Sequence, residues 1–152
     1  MRKTYRILAD IVAIEVVLQA MMIVFALSGL FKWIDDGNTL NQSVIDGWQD
    51  EPPTFTGAIG HFIHVMNGQF LIPLIGLALL IVAFFAKVPG GVKWASIIFV
   101  SIIVQVMAGL LSGSAPVLGL VHGLNAFILF SAAIMAARAA KPAEVKEAVT
   151  VA

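Results

Sequence analysis

Residues 57–86 read GAIGHFIHVMNGQFLIPLIGLALLIVAFFA, and apart from two histidines no side chain in this stretch ionises. A helix needs about 20 mostly apolar residues to cross a hydrocarbon core of about 30 Å. The stretch therefore predicts a transmembrane helix. Three further apolar runs reach the same length: Ile7 to Phe31, Trp94 to about Leu111, and Pro116 to Ala137. The chain is predicted to be an all-α integral membrane protein with four spanning helices.

Composition supports the membrane class and excludes several others. Of 152 residues, 60% are hydrophobic and 12% are charged, whereas soluble domains are about half apolar and a quarter charged. Nine basic side chains balance nine acidic ones, so no basic excess indicates nucleic-acid binding. The absence of cysteine excludes disulfides, iron–sulfur clusters, thiolate zinc sites and covalent c-type haem. Any metal chemistry therefore depends on the three histidines.

The distribution of charge predicts the orientation, because Lys and Arg accumulate on the cytoplasmic side of membrane proteins. Lys32 is the exception, beside a loop whose other charges are acidic: Asp35, Asp36, Asp46, Asp50 and Glu51. The other eight basic residues fall at the opposite ends of the predicted helices: Arg2, Lys3, Arg6, Lys87, Lys93, Arg138, Lys141 and Lys146. Both termini are predicted to be cytoplasmic, in a bacterial inner (plasma) membrane.

The domain organisation follows from the links between the apolar runs. Residues 1–141 are predicted to form one transmembrane domain, followed by a disordered cytoplasmic tail at 142–152. Its helices cover about 7–33, 57–86, 92–112 and 116–138, with an outer loop at 34–56. Short links make neighbouring helices antiparallel, which predicts an up-down-up-down four-helix bundle with helices two and four on a diagonal. The sequence shows no convincing internal repeat.

Polar side chains within the predicted spans are the functional candidates, because each is costly in hydrocarbon. For the amides Gln19, Asn67, Gln105 and Asn125, hydrogen bonding between helices is the favoured interpretation. The histidines His61, His64 and His122 lie at similar depth, near the outer ends of helices two and four. Histidines from two diagonal helices can reach opposite faces of a haem, whereas His61 and His64 on one helix cannot. Spacing alone leaves a second interpretation open, in which these histidines hydrogen-bond one another.

A family resemblance favours haem. The segments GHFIHVMNGQ at 60–69, QVMAG at 105–109 and VHGLNA at 121–126 resemble motifs of the haem A synthase family. The similarity covers helices two to four, and helix one less clearly. Such synthases consist of two fused four-helix halves, each with a histidine pair for haem, and this chain resembles one half. The resemblance implies a haem b iron bound by His64 and His122.

Departures from the family pattern limit what the resemblance implies. Val65 and Gln69 stand where the family has arginines, and His61 stands where it has a functionally important carboxylate. The outer loop also lacks the cysteine pair of many members. The resemblance therefore extends to haem binding by His64 and His122 but not to oxidation of a haem methyl group, and no enzymatic activity is assigned.

The predicted function is that of a bis-histidine, b-type haem membrane protein in electron transfer or haem handling. Its predicted partners are the lipid bilayer and an unidentified electron donor or acceptor, and a homodimer or larger membrane complex would restore the two-half arrangement. His61 is expected to contact a haem propionate or to replace His64, and Lys32 to pair with a propionate or remain solvated. The predicted metal ligands are His64 and His122, and the predicted cofactor-binding residues are His64, His122, His61, Gly68, Gln69, Ala126 and Lys32.

Two alternatives remain from the residues. The first is a cofactor-free transporter or accessory subunit in which Glu15, with Gln19 and Gln105, forms a polar or proton path. The second is a zinc site at His61 and His64 with an acidic loop residue such as Glu51, although catalytic zinc normally has three protein ligands.

Overall fold

A computed structural model describes residues 1–141, so the predicted tail at 142–152 lies outside the described residues. This part of the chain is helical and contains no strand. Four helices are long and apolar enough to cross a membrane, with Ala58–Ala83 continuous through a π-helical turn, which confirms the predicted all-helical class. The elements are α1 (Arg2–Asp35), α2 (Gln42–Gly47), α3 (Ala58–Met66), the π-helical turn (Asn67–Leu71), α4 (Ile72–Ala83), α5 (Gly91–Leu111) and α6 (Val117–Ala139).

The first helix is longer than its apolar run. It begins at Arg2, about five residues before the predicted start, and a contact of 3.7 Å joins Arg6 to Asp10 across one exposed turn. At the other end Lys32 pairs with Asp36 at 2.9 Å, again four residues apart. Opposite charges at this spacing support helical turns in water. Hydropathy therefore marks the part of α1 that suits a membrane, while charged turns extend the helix at both ends.

The loop after α1 is ordered by a short helix and an aromatic cluster. Asn41 caps α2, because its side-chain oxygen accepts a hydrogen bond from the Val44 amide at 3.1 Å. Trp33, Trp48 and Phe55 form an aromatic cap, with ring centroids 5.8–6.5 Å apart. Such aromatic pairs add about 0.5–1.5 kcal/mol each beyond the burial of their surface. The aromatic cap ties the loop to the end of α1.

A π-helical turn precedes Pro73 in the second span. Proline has no amide hydrogen, and its ring clashes with the carbonyl four residues earlier, here that of Gln69. The wider turn at Asn67–Leu71 surrounds that carbonyl and lets the helix continue into α4. Such turns are rare and occur often at functional sites. This one begins three residues after His64.

The long helices pack in a cycle. α1 contacts α3, α4 and α6, and α5 contacts α4 and α6. The helices that carry His64 and His122 are therefore not neighbours in this cycle. At one end of the molecule the buried Tyr5 hydroxyl donates a hydrogen bond to the Gly91 carbonyl at 2.9 Å. The apolar core extends from there along the helices, and its largest fully buried side chains are Tyr5, Leu79, Ile98, Ile102, Leu129 and Val12.

Small residues let α1 and α3 approach closely at the opposite end. A Cβ added to Gly29 would overlap the carbonyl oxygen of Thr56, and one added to Gly60 would overlap that of Met22. Glycines at such contacts allow two helix backbones to pack without intervening side chains. The close contact brings the backbone of α1 within reach of the His64 ring on α3.

Candidate metal centre

His64 and His122 face each other between two helices that are not neighbours. Their ring centroids are 6.2 Å apart and their planes are inclined at 57°. Both side chains are half-buried. His61, in contrast, is exposed on the same helix as His64. Of the three histidines, the structure therefore brings together the two that were predicted as metal ligands.

A main-chain carbonyl on a neighbouring helix holds each of these rings. His64 Nδ1 lies 3.1 Å from the Gln19 carbonyl oxygen on α1, and His122 Nδ1 lies 2.9 Å from the Gln105 carbonyl oxygen on α5. A carbonyl oxygen can only accept a hydrogen bond, so in each pair Nδ1 carries the proton and donates it. A neutral ring in this tautomer keeps the lone pair of Nε2 free for a metal.

The separation of the rings matches that of two imidazoles on one metal ion. A metal–nitrogen bond is about 2 Å long, and the ring centre lies about 1 Å beyond the nitrogen, so two ligands on opposite sides have centroids about 6 Å apart. The observed separation is 6.2 Å. In the described part of the chain, the two Nδ1 atoms bond main-chain carbonyls, and no hydrogen bond joins one ring to the other. Among the described residues, the rings therefore lack the mutual hydrogen bond that the alternative of a histidine pair requires.

Gly109 is a site residue that the sequence prediction did not include. A Cβ at this position would lie 3.0 Å from both Cε1 and Nδ1 of His122. Glycine at position 109, which has no side chain, therefore allows the His122 ring to pack against α5 as observed. The signal in the sequence was the glycine four residues after Gln105, because residues at this spacing lie on one face of a helix.

The other predicted cofactor-binding residues have varied environments. A Cβ at Gly68 would make an ordinary contact of 3.4 Å with the side-chain oxygen of Gln19. Gln69 and Ala126 are half-buried. Lys32 is bonded to both carboxylate oxygens of Asp36, at 2.9 and 3.0 Å, and its side chain is 72% exposed.

His64 and His122 are each followed three residues later by an asparagine. Each asparagine contacts the helix whose main-chain carbonyl also holds the histidine ring. Asn67 follows His64, and Asn125 follows His122. Asn67 reaches α1 and Asn125 reaches α5, the same helices whose carbonyls hold the two rings. The structure thus contains two similar His-x-x-Asn arrangements, although the sequence analysis found no repeat. The shared spacing was the available signal.

The amide nitrogen of Asn125 has two hydrogen-bond partners. It donates to the Ser101 carbonyl at 2.8 Å and to the side-chain oxygen of Gln105 at 2.7 Å. Both Ser101 and Asn125 are buried. These bonds satisfy polar groups between α5 and α6, as the favoured interpretation of the amides predicted.

The arrangement around Asn67 is paired less completely. Its amide nitrogen lies 3.5 Å from the carboxylate of Glu15, which is a long hydrogen bond. One turn further along α1, the amide nitrogen of Gln19 is buried and has no hydrogen-bond partner among the described residues. The two halves of the site therefore differ, because among the described residues only the His64 side contains a carboxylate and a buried amide nitrogen without a partner.

The structure offers little for a metal site of another kind. Within residues 1–141, no three side chains of the His, Cys, Asp and Glu types come together as a metal-binding group. Glu51 accordingly does not complete a zinc site with His61 and His64.

Two apolar surface grooves lie away from the histidines. Their volumes are about 570 and 370 Å³. The larger lies between α1 and α6, and the smaller lies between α5 and α6. Neither is lined by His64 or His122, so ring geometry rather than an open groove defines the candidate metal centre.

Comparisons with known proteins found no relative of this chain. No family model, curated protein or solved structure matches the chain. The geometry brings two imidazole rings together, each oriented by a main-chain hydrogen bond to a neighbouring helix.

Proposed function

We propose that this chain is a membrane-embedded b-type haem protein whose iron is bound by His64 and His122. The observation that carries the proposal is the facing pair of rings 6.2 Å apart, each with Nδ1 held by a main-chain carbonyl. Haem supplies a one-electron redox centre when it is bound. Electron transfer or haem handling is the function that this site supports best.

The protein's contribution is to orient both ligands. A hydrogen bond from the far nitrogen of a ligating histidine fixes its tautomer and raises its basicity. Gln19 and Gln105 provide the accepting carbonyls from α1 and α5, so each ligand is held by a second helix. With His64 and His122 both bound to the iron, no coordination position would be left for oxygen. This occupancy favours electron transfer or haem handling over oxygenase chemistry.

The proposed surroundings of the macrocycle combine small and polar residues. Gly68 and Ala126 each lie one turn from a ligand and leave room for a flat ring, and Gln69 lies beside Gly68. His61 is exposed one turn before His64, where it can contact a propionate. Lys32 would have to exchange its bond with the Asp36 carboxylate for one with a propionate.

The proposed topology is an up-down-up-down four-helix bundle with both termini cytoplasmic, in a bacterial inner membrane. α1 and α5 begin at the same end, where Tyr5 contacts Gly91, and α3 begins near the other end of α1, where Gly29 contacts Thr56; both contacts support helices of alternating direction. The grouping of basic residues at the first of these ends supports the orientation. Because the chain resembles one half of a haem A synthase, a homodimer is the natural larger assembly.

Visible spectroscopy of the purified protein tests the proposal. Wild-type protein produced with adequate haem should show a Soret band and, on reduction, the sharp bands of six-coordinate low-spin haem, because both axial ligands are side chains. His64→Ala and His122→Ala should each abolish this signature. His61→Ala is the matched control, since His61 is exposed one turn away, and it should keep the signature.

Two results would contradict the ligand assignment. If His61→Ala alone removed the low-spin bands, ligation would involve the neighbouring turn. If folded wild-type protein contained no haem, the assignment would fail.

A second candidate is a cofactor-free transporter or accessory subunit. The contact between the Glu15 carboxylate and Asn67 inside the helical bundle favours it, because intramembrane ionisable groups often belong to ion or proton paths. Absence of haem from well-folded wild-type protein would make this the leading function.

A further inference from the structure

Glu15 has no cationic partner among the described residues, unlike Asp10 on the same helix. The ion pairs of the described residues join Arg6 with Asp10 and Lys32 with Asp36. Glu15 is half-buried, and its contact is with the neutral amide of Asn67, at 3.5 Å. A carboxylate in an apolar bundle is costly unless it is paired, hydrogen-bonded or protonated. The position therefore suits a group that exchanges a proton.

The helices around Glu15 provide few other charges. On the helices packed against α1, the titratable groups are His61 and His64 on α3, and His122 and Arg138 on α6. The π-helical turn and α4 contain none. On α1 itself the groups are Arg2, Lys3, Tyr5, Arg6, Asp10, Lys32 and Asp35. Within a turn of Asn67 along its helix, His64 is the ionisable neighbour, and the proposed function uses it as a ligand.

Polar contacts connect Glu15 to the His64 half of the site. Glu15 and Gln19 are one turn apart on α1, and the Gln19 carbonyl accepts the hydrogen bond from His64. Asn67 is three residues beyond His64, or about 5 Å along the helix axis. The buried amide nitrogen of Gln19, which lacks a partner among the described residues, is a donor available one turn from the carboxylate.

The second half of the site has no equivalent carboxylate. Ser101 occupies, relative to Gln105, the position that Glu15 occupies relative to Gln19. Its carbonyl accepts a hydrogen bond from the Asn125 amide, which also donates to the side-chain oxygen of Gln105. The ionisable group is therefore confined to one side of two otherwise similar arrangements. Interhelical packing alone does not require this difference, since the Ser101 side packs without a carboxylate.

We infer that Glu15 is a proton-binding site coupled to reduction of the haem that the proposed function places at His64 and His122. When a one-electron carrier delivers an electron to the haem, the Glu15 carboxylate takes up one proton from water. The only bond formed at Glu15 is O–H, and oxidation returns the electron to a carrier and the proton to water. The physical reason is charge balance, because an electron added in a low-dielectric bundle favours protonation of a nearby carboxylate.

Redox titration of the full-length, haem-loaded protein tests the inference. In wild-type protein the midpoint potential should fall with rising pH, by up to about 59 mV per pH unit, which corresponds to one proton per electron. Glu15→Gln should keep the visible spectrum and largely lose this slope. A wild-type potential independent of pH, or an unchanged slope in Glu15→Gln, would overturn the inference.

Two control variants separate Glu15 from other groups. Asp10→Asn changes a carboxylate on the same helix that pairs with Arg6, and it should leave the slope unchanged. His61→Ala tests the exposed histidine that the proposed function brings into contact with a propionate. A slope lost in His61→Ala and kept in Glu15→Gln would assign the proton to His61 instead.

An infrared difference spectrum provides a measurement on wild-type protein that needs no variant. Reduction should produce a carbonyl band of a protonated carboxyl group, and this band should shift in heavy water. Its absence would overturn the inference, even if Glu15→Gln failed to hold haem. Haem with a pH-independent potential would refute the proton role alone, whereas wild-type protein without haem would refute the proposed function as well.

Discussion

Replacing Gly109 by alanine tests whether the position of the His122 ring controls haem binding. The added Cβ would lie 3.0 Å from Cε1 and Nδ1 of His122, whereas favourable carbon contacts are about 3.5–4.0 Å. The ring must therefore move away from α5 by a few tenths of an ångström. The Gln105 carbonyl lies one turn away on the same helix, so this movement also stretches the 2.9 Å hydrogen bond.

The expected cost follows from that bond. The loss of one hydrogen bond in a folded protein costs about 0.5–1.5 kcal/mol, which corresponds to about 2- to 12-fold weaker haem binding. Metal–ligand distances tolerate changes of only about 0.2 Å, so displacement of the ring should also convert part of the haem from low spin to high spin. Gly109→Ala should therefore affect both affinity and spin state.

Haem titration into the apoprotein, followed at the Soret band, measures both effects. Gly123→Ala is the matched control, because Gly123 is adjacent to His122 and a Cβ there would have no atom within 4 Å. The control should bind haem like the wild type, while Gly109→Ala should bind more weakly with a high-spin fraction. Equal affinities and spectra for the two variants would refute the role assigned to the ring position.

Two further predictions concern the fold. The chain has no cysteine, so cysteines can be introduced singly at Asp46 and Lys141. They should be labelled from opposite sides of the membrane, because basic residues cluster at the end that includes Lys141. Labelling of both from one side in intact cells would contradict the proposed topology. Gly29→Ala should lower the free energy of unfolding by about 1–3 kcal/mol, because the added Cβ would overlap the backbone at Thr56. Gly47→Ala is the control and should be nearly neutral, because a Cβ there would have no atom within 4 Å. Equal melting temperatures for the two variants would argue against the close helix contact.

The sequence alone was sufficient to predict the helical class and the four potential spans. Span length and hydropathy are local properties, because any helix in hydrocarbon needs about 20 apolar residues whatever it packs against. The spacing of His64 and His122 also sufficed to nominate them as a pair. Their depth depends on position along each helix, which can be counted from the helix ends.

Details that depend on two distant segments could not be predicted. The carbonyl that holds His64 belongs to Gln19, 45 residues earlier, and the overlap that would exclude a side chain at Gly29 comes from Thr56. Backbone carbonyls carry no residue-specific signal, so nothing in the sequence identifies which of them lies beside a given ring. The π-helical turn likewise reflects how the chain adapts to Pro73, although the proline itself was visible.

The difference between His61 and His64 shows most directly what tertiary structure decided. Both histidines lie in one apolar helix three residues apart, and the sequence allowed either to be a ligand. The structure directs His64 towards His122 and leaves His61 exposed. The rotation of a helix about its own axis is set by the neighbours against which it packs, here by the close contact of Gly60 with the backbone of α1. Sequence thus determined which residues can ligate, and packing determined which of them meet.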